Sequence, residues 1–234
     1  IGTYEQGGKF QSTYGLRVNV KVNSNSEYTG HEVFAPLLQP LMHFWELPDT
    51  RVMENVSKFP VFACLFNAPT ETLLSLLGSS FMKRHGNWIK NHFQEPEQFN
   101  TMVNDLHSAL NLSTMERSQF LKLVSLVILL LDTENIFLEI DQASTQPKTK
   151  AYNDRIRKYI LSLPLGVLEE ICNLFGPSTD KYTLVSKIGN LSKVSGQSKF
   201  YSSLAQYIHR ALFNWVLSKI QVPGRGLTEE HCYN

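Results

Sequence analysis

The residues best placed to do chemistry stand at the start of the sequence, where Ile1–Gly15 reads IGTYEQGGKFQSTYG. Glycines, a lysine and hydroxyls this close together are typical of loops whose backbone N–H groups cradle phosphate. A P-loop needs the spacing G-x-x-x-x-G-K-[ST], in which the lysine and the hydroxyl reach the terminal phosphate and Mg²⁺. Gly2 to Lys9 is one residue too long, and Phe10 stands where the hydroxyl belongs. We therefore predict that this stretch is not a P-loop.

Metal and nucleophile motifs are also missing from the sequence. The seven histidines form no H-E-x-x-H motif, and there is no G-x-S-x-G elbow. The three cysteines, Cys64, Cys172 and Cys232, are far apart and form no C-x-x-C pair, so at least one stays unpaired. His231 lies beside Cys232, but neighbouring residues of a helix point about 100° apart and would not share a metal. We predict a reducing, cytoplasmic location and no catalytic residue.

Composition and charge narrow the classes of partner. The 234 residues are 42% hydrophobic and 18% charged, which is typical of a globular domain with a proper core. A net charge of +1 gives no whole-molecule field for nucleic acid or an anionic membrane. The most apolar run, Phe120–Leu131, contains Lys122 and is shorter than the roughly 20 residues that cross a bilayer. We expect no nucleic-acid partner and no membrane insertion.

The elements that must position any site begin with a short strand portion, residues 1–35. Leu16–Val22 alternates apolar and polar residues, which predicts a strand with one buried face. Asn23–Ser26 is typical of a turn, and a second short strand or an extended segment is expected around Tyr28–Val33. Three prolines, Pro36, Pro40 and Pro48, then predict short or broken helices.

A helical portion follows, residues 50–221, so the fold class is mainly α with a small β portion (α+β) in a single domain, 1–234. Apolar residues at helical spacing predict helices over Val52–Ala68, Thr70–Leu77, a segment from Pro96 with Phe99, Val103, Leu106 and Leu110 on one face, Thr114–Leu131, Ala151–Leu163, Gly166–Leu174 and Ser198–Ile220. Ser113-Thr-Met-Glu116 is a capping box, and the helix that it opens is apolar on most sides and should be central. Gly176–Lys199 is predicted to be an exposed loop with a short hairpin at Tyr182–Ile188.

Taken in order, these segments resemble part of a myosin motor domain, chiefly its helical upper 50-kDa subdomain, from the end of switch I to the helix after the skipped switch II. The clearest piece is SSLAQYIHRALFNWVLSKIQ, Ser202–Gln221, in which Leu204, Ala205, Phe213, Trp215 and Ile220 match the family's helix. The segments FLKLVSLVILLLDTENIFLE, PLGVLEEI and RVMENVSKFPVFACLFNA are similar to three more family segments. The resemblance implies the helical upper subdomain of a motor head, with Phe213 and Trp215 as core residues.

The resemblance also implies an answer for the opening stretch. Gln11–Gly15 is similar to the end of switch I, where Ser12 would ligate Mg²⁺ and bind the nucleotide, but Thr13 replaces the arginine that closes the site. By this resemblance, the switch II segment is skipped between Gln221 and the ending LTEEHCYN. Either the chain is trimmed, or this relative of the family has lost the segment. The resemblance thus implies a segment impaired or dead as an ATPase by itself. Mg-ATP would bind only if a P-loop and switch II lie outside this chain.

Two functions from different classes remain open. In myosins a surface loop at the place of Gly176–Lys199 touches actin, and the resemblance therefore implies that Lys181, Lys187 and Lys193 contact actin or another cytoskeletal protein. A solvated loop with ordinary lysines is equally compatible with the sequence. The alternative function is a helical scaffold or adaptor that binds another protein through its helix faces without nucleotide.

Overall fold

A computed structural model describes residues 3–6, 9–12, 17–34, 52–57, 59–140, 147–176, 179–191 and 198–220. Within these ranges, the side chains at 3–17, 33–34, 52, 54–55, 133–140, 147–153, 174, 188–191 and 198–200 lie outside the description. The proline-rich segment with Pro36, Pro40 and Pro48 and the ending from Gln221 lie outside it as well. The described part is mainly helical with a small antiparallel strand portion, as predicted.

Four strands within the described residues form two separate hairpins. Strand β1 (Thr3–Gln6) pairs with β2 (Lys9–Ser12), and β3 (Arg17–Val22) pairs with β4 (Tyr28–Phe34), both antiparallel. The second hairpin confirms the predicted strand pair and its turn, in which Asn23 Oδ1 accepts the backbone N–H groups of Asn25 and Glu27, each at 2.9 Å. The first hairpin was not predicted, because the glycines near it were compared only with the spacing of a P-loop, which they do not match.

Ten helices follow in the described residues. They are α1 (Val52–Ser57), α2 (Pro60–Phe66), α3 (Thr70–Leu77), α4 (Ser79–His92), α5 (Pro96–Ser108), α6 (Thr114–Ile140), α7 (Pro147–Leu161), α8 (Leu165–Leu174), α9 (Lys181–Leu191) and α10 (Ser198–Lys219). Pro60 and Pro96 each occupy the first turn of their helix, where a missing N–H costs nothing. The segment predicted as helical over Val52–Ala68 forms two helices, α1 and α2, and α3 has the predicted bounds.

Helix α6 is the centre of the fold, as its all-round apolar sequence predicted. Every residue from Leu123 to Asp132 is buried, with at most 2% of its surface exposed. Helices α1, α2, α3, α5, α7 and α10 all contact it, and α10 does so most extensively. The capping box is confirmed: Glu116 Oε2 accepts the N–H of Ser113 at 2.9 Å, and Ser113 Oγ accepts the N–H of Glu116 at 3.3 Å.

The last helix packs on α6 through the stripe that its sequence predicts. Buried residues of α10 recur at intervals of three or four positions and include Tyr201, Leu204, Ala205, Ile208, Ala211 and Leu212. Phe213 is also buried, which confirms its place in the core, whereas Trp215 is only partly buried against the core. The ammonium group of Lys219 lies 5.4 Å from the centre of the Trp215 ring.

Two helices, α4 and α9, were not predicted from the sequence. The predicted loop and hairpin within Gly176–Lys199 are wrong, because Lys181–Leu191 forms α9. Asp180 Oδ1 accepts the N–H of Thr183 at 2.7 Å and so caps this helix, while Leu184 is completely buried. Helix α4 was missed, although Phe81 and Ile89 lie on its buried side. In both segments glycine and polar residues outweighed a narrow apolar stripe in the sequence.

Among the described residues, no single helix is both long and apolar enough to cross a bilayer. Helices α2 and α3 satisfy the length and composition criteria only as a pair, across a bend of 116°.

Candidate functional site

Ser12, the proposed Mg²⁺ and nucleotide contact, is the last residue of β2 and pairs with Thr3 of β1. Its side chain lies outside the description, as do Thr13 to Leu16, which connect it to β3. Its assignment to switch I therefore stays a prediction.

The three lysines proposed as partner contacts do not form one described patch. Lys181 is exposed in the first turn of α9, and its Nζ lies 5.1 Å from the centre of the Tyr182 ring. Lys187 is half-buried, and its Nζ donates to the carbonyl of Phe175 at 2.9 Å and to Thr179 Oγ1 at 3.1 Å. Six residues of an α-helix turn through about 600°, so Lys181 and Lys187 leave α9 on different sides. Lys193 lies outside the described residues.

A groove of about 920 Å³ lies between α2, α5 and the start of α6. One wall is the start of α2, and the opposite wall is a face of α5. Phe120 of α6 and Leu106 of α5, both almost completely buried, lie at the bottom. The residues that line the groove are Pro60, Val61, Cys64, Gln94, Glu95, Pro96, Glu97, Gln98, Thr101, Met102, Asp105, Leu106, Ala109, Leu110 and Phe120. We name this surface the α2–α5 groove.

Asn67 holds the two walls of the groove in place. Its side chain is buried just after α2, and Oδ1 accepts the N–H of Glu95 at 2.8 Å. The amide nitrogen of Asn67 donates to the carbonyl of Ala63 and to Gln98 Oε1, both at 3.1 Å. One amide therefore joins the end of α2 to the beginning of α5. Because all these partners are satisfied, the spacing between the walls is fixed by hydrogen bonds as well as by packing.

An aromatic cluster supports the same end of the groove. Phe66 at the end of α2 lies 5.3 Å from Phe93 and 5.9 Å from Trp88, measured between ring centres. The rings of Trp88 and Phe93 are 5.4 Å apart. Such tilted and edge-on pairs are favourable geometries for aromatic side chains. Phe93 directly precedes Gln94, so this cluster anchors the turn that closes the groove.

The charged side chains that line the groove are all acidic. Three carboxylates, Glu95, Glu97 and Asp105, lie on its lining, and no basic side chain does so among the described residues. Glu95 accepts a hydrogen bond from the Gln98 side chain. Neither Glu97 nor Asp105 has an ion-pair partner within the described part of the chain. Burial raises the pKa of the Cys64 thiol, so Cys64 is neutral near pH 7 and contributes an apolar surface.

A second charged cluster lies inside the fold. Asp132 of α6 is completely buried, and its Oδ2 accepts from Arg84 of α4. Its Oδ1 accepts from His85 Nε2 at 2.7 Å, and the His85 ring lies 4.6 Å from that of Phe81. Both carboxylate oxygens thus have a partner, and the cluster ties α4 to the central helix. We interpret it as structural.

His209 is a buried titratable group of a different kind. The ring lies between Phe59 at 6.0 Å and Phe62 at 5.7 Å, and its Nε2 has no hydrogen-bond partner in the described structure. Burial lowers the pKa of His209 to about 3, so the ring is neutral at physiological pH. It serves as an aromatic core residue of α10.

The sequence did not reveal the groove. It predicted the buried face of α5 correctly, since Phe99 and Leu106 are buried and Val103 and Leu110 partly so. The groove uses the neighbouring stripe of Gln98, Met102 and Asp105, whose mixed character carries no recognisable signal. Its other wall comes from α2, more than thirty positions earlier in the chain. Among the described residues, no group of three or more histidine, cysteine, aspartate or glutamate side chains could hold a metal ion.

Comparison of the chain with protein-family models, with curated proteins and with solved structures gave no match.

Proposed function

We propose that this chain is a helical scaffold or adaptor domain that binds a partner protein in the α2–α5 groove. The observation that carries the proposal is the groove itself, with apolar residues at its bottom and polar residues on its α5 wall. Concave, mostly apolar surfaces with a few polar groups are the usual form of a binding site. Its walls are braced by Asn67 and by the aromatic cluster, which lowers the cost of ordering the site when a partner binds.

A displayed library of helical peptides of about 16 residues, a length that covers about 24 Å, tests this proposal. Peptides selected on the immobilised chain are expected to bind with micromolar affinity and to lose binding to Ala109→Trp, which fills the groove from an exposed position. Ser118→Trp is the matched control, because Ser118 is exposed on α6 and does not line the groove. Selected peptides that bind the Ala109→Trp variant as well as the parent would contradict the proposal.

The second candidate is the myosin-like motor segment, associated with actin in the cytoplasmic cytoskeleton and impaired in ATP hydrolysis by itself. The observation that favours it is the pairing of α6 and α10, because α10 carries most of the clearest family-like segment and α6 carries another family-like segment, Phe120–Glu139. Lys181 is the better lysine for testing an actin contact, because it is exposed, whereas Lys187 already donates to the carbonyl of Phe175.

Co-sedimentation with actin filaments at low salt tests the second candidate. The parent chain is expected to sediment, and Lys181→Glu is expected to weaken sedimentation, because contacts of exposed charges are electrostatic and screened by salt. Lys83→Glu on α4, also exposed, is the control for the change in charge. No sedimentation of the parent would remove this candidate. A Mg²⁺-dependent ATP turnover that Ser12→Ala abolishes would contradict the predicted loss of ATPase activity.

A further inference from the structure

The lining of the α2–α5 groove restricts the kind of partner that it fits. We propose that its occupant is a basic amphipathic helix of a partner protein, with an apolar face against the bottom of the groove and lysine or arginine along one edge. This inference rests on the proposed function, which requires only that a protein segment occupies the groove. It adds the shape, the charge and the spacing of that segment.

The length and shape of the groove favour a helix over a compact ligand. The α5 wall runs from Gln98 to Ala109, and eleven steps of 1.5 Å make it about 16 Å long, or three helical turns. Both walls are themselves helices, and the surface between them is lined by Val61, Met102 and Leu110. An amphipathic helix that places apolar side chains at positions i, i+3 or i+4, and i+7 in such a groove is a common recognition mode.

The charge of the groove favours a basic helix. Glu97 and Asp105 are exposed, and neither has a basic partner among the described residues. The apolar bottom of the groove keeps the local dielectric below that of bulk water, so these carboxylates attract a cation more strongly than isolated surface charges do. Lysine and arginine suit this arrangement because their aliphatic stems can lie along an apolar wall while the charged group reaches the rim.

The positions of the two carboxylates predict a spacing in the partner. Glu97 and Asp105 are eight residues apart on α5, which is about 12 Å along its axis and a little over two turns. A partner helix that runs along α5 would place one basic residue near each carboxylate if those residues are seven or eight positions apart. Its apolar residues would lie on the neighbouring stripe, toward Met102 and the buried Leu106.

A pair of designed peptides tests this inference with the whole chain. Both peptides have about 16 residues, alanine and leucine at helical spacing, and two charged residues seven positions apart, a spacing of about two turns. The charged residues are lysine in one peptide and glutamate in the other. Fluorescence anisotropy is expected to show that the lysine peptide binds at least about tenfold more tightly, and that its affinity falls with added salt.

Charge reversal in the protein gives the matched experiment. Asp105→Lys is expected to weaken binding of the lysine peptide by about fivefold or more and to strengthen binding of the glutamate peptide. Glu169→Lys on α8 makes the same change in net charge at an exposed position outside the groove and should leave both affinities unchanged. Circular dichroism and thermal unfolding of each variant verify that the fold is retained.

The outcomes separate this inference from the proposed function. A preference for the lysine peptide that Asp105→Lys reverses, with binding lost in Ala109→Trp, supports both. Equal binding of the two peptides, lost in Ala109→Trp, overturns the basic partner and retains a protein-binding groove. Binding of the lysine peptide that is unchanged in Ala109→Trp shows adsorption elsewhere and overturns both. Failure of both peptides to bind, while library-selected peptides of other charge bind in the groove, overturns this inference alone.

Discussion

Two aspartates of this chain, Asp132 and Asp105, lie in opposite environments. Asp132 is completely buried in the central helix α6, where Arg84 and His85 bind its two oxygens. Asp105 is exposed on the α5 wall of the α2–α5 groove and has no basic partner among the described residues. A buried carboxylate would be very unfavourable without its partners, whereas an exposed one is hydrated by water.

The contrast separates a structural site from a candidate functional one. The partners of Asp132 come from the same chain, so its charge is already used to join α4 and α6. The carboxylate of Asp105 stands beside an apolar surface, so its charge remains available to a molecule that covers that surface. If close charged residues were the only criterion, the Asp132 cluster would be chosen as the candidate functional site. Both oxygens of Asp132 have partners, whereas Asp105 has no basic partner among the described residues. We therefore infer that the α2–α5 groove is the better candidate for binding.

The largest expected effect is on folding when Asp132 loses its carboxylate. Asp132→Ala should lower the free energy of unfolding by about 3–5 kcal/mol, because it leaves Arg84 and His85 without their shared acceptor. Asp105→Ala is the matched control and should change stability by less than about 0.5 kcal/mol, since the site is exposed. Urea unfolding followed by circular dichroism measures both values. Equal losses in the two variants would break the distinction between the two aspartates.

His209 extends the comparison to a buried group whose Nε2 has no partner in the described structure. Its folded pKa of about 3 is below the ordinary value of 6.5, so between these two pH values the unfolded chain binds a proton that the folded chain does not. Stability should therefore fall as pH is lowered from about 6.5 toward 3, by up to about 1.4 kcal/mol per pH unit from this group.

Replacement of the ring isolates that contribution. His209→Leu keeps an apolar side chain between Phe59 and Phe62 and removes the titrating group. Thermal unfolding as a function of pH should then show a flatter decline for the variant than for the parent between pH 6 and 4. Parallel curves for the two proteins would mean that His209 does not contribute to the acid sensitivity.

Glu116 is the intermediate case, half-buried and satisfied by both local and distant partners. Lys219, together with Ser113, lowers the pKa of Glu116 to about 2, and Lys219 Nζ lies 2.5 Å from Glu116 Oε1. Ser113→Ala should cost about 1 kcal/mol, the usual loss when a helix cap is removed. Ser118→Ala on the exposed side of α6 is the control and should have a smaller effect. A Ser113→Ala variant as stable as the parent would show that the ion pair with Lys219 suffices.

The sequence by itself predicted the features that depend on local periodicity. The apolar run of α6 predicted a central buried helix, and the stripe of α10 predicted Leu204, Ile208 and Leu212 as core residues. The capping box at Ser113 was predicted because its hydrogen bonds join residues only three positions apart. Strands β3 and β4 followed from alternation and from turn residues.

Local pattern also misled in segments where polar residues outnumber apolar ones. Glycine, serine and lysine within 176–199 predicted a loop, but burial of Leu184 against the rest of the fold and the cap at Asp180 favour the helix α9. Lys187 was interpreted as a free surface charge for the same reason, although its hydrogen bond to Phe175 crosses twelve positions of sequence.

Only the tertiary structure decided which charges are satisfied and where a surface stays concave. Arg84 and Asp132 are 48 positions apart, and Asn67 meets Gln98 across 31 positions. The walls of the α2–α5 groove come from two helices that both pack on α6. The periodicity within either helix therefore does not predict the groove. The physical reason is that propensity and periodicity act within a few residues, whereas ion pairing, desolvation and grooves depend on how the helices pack.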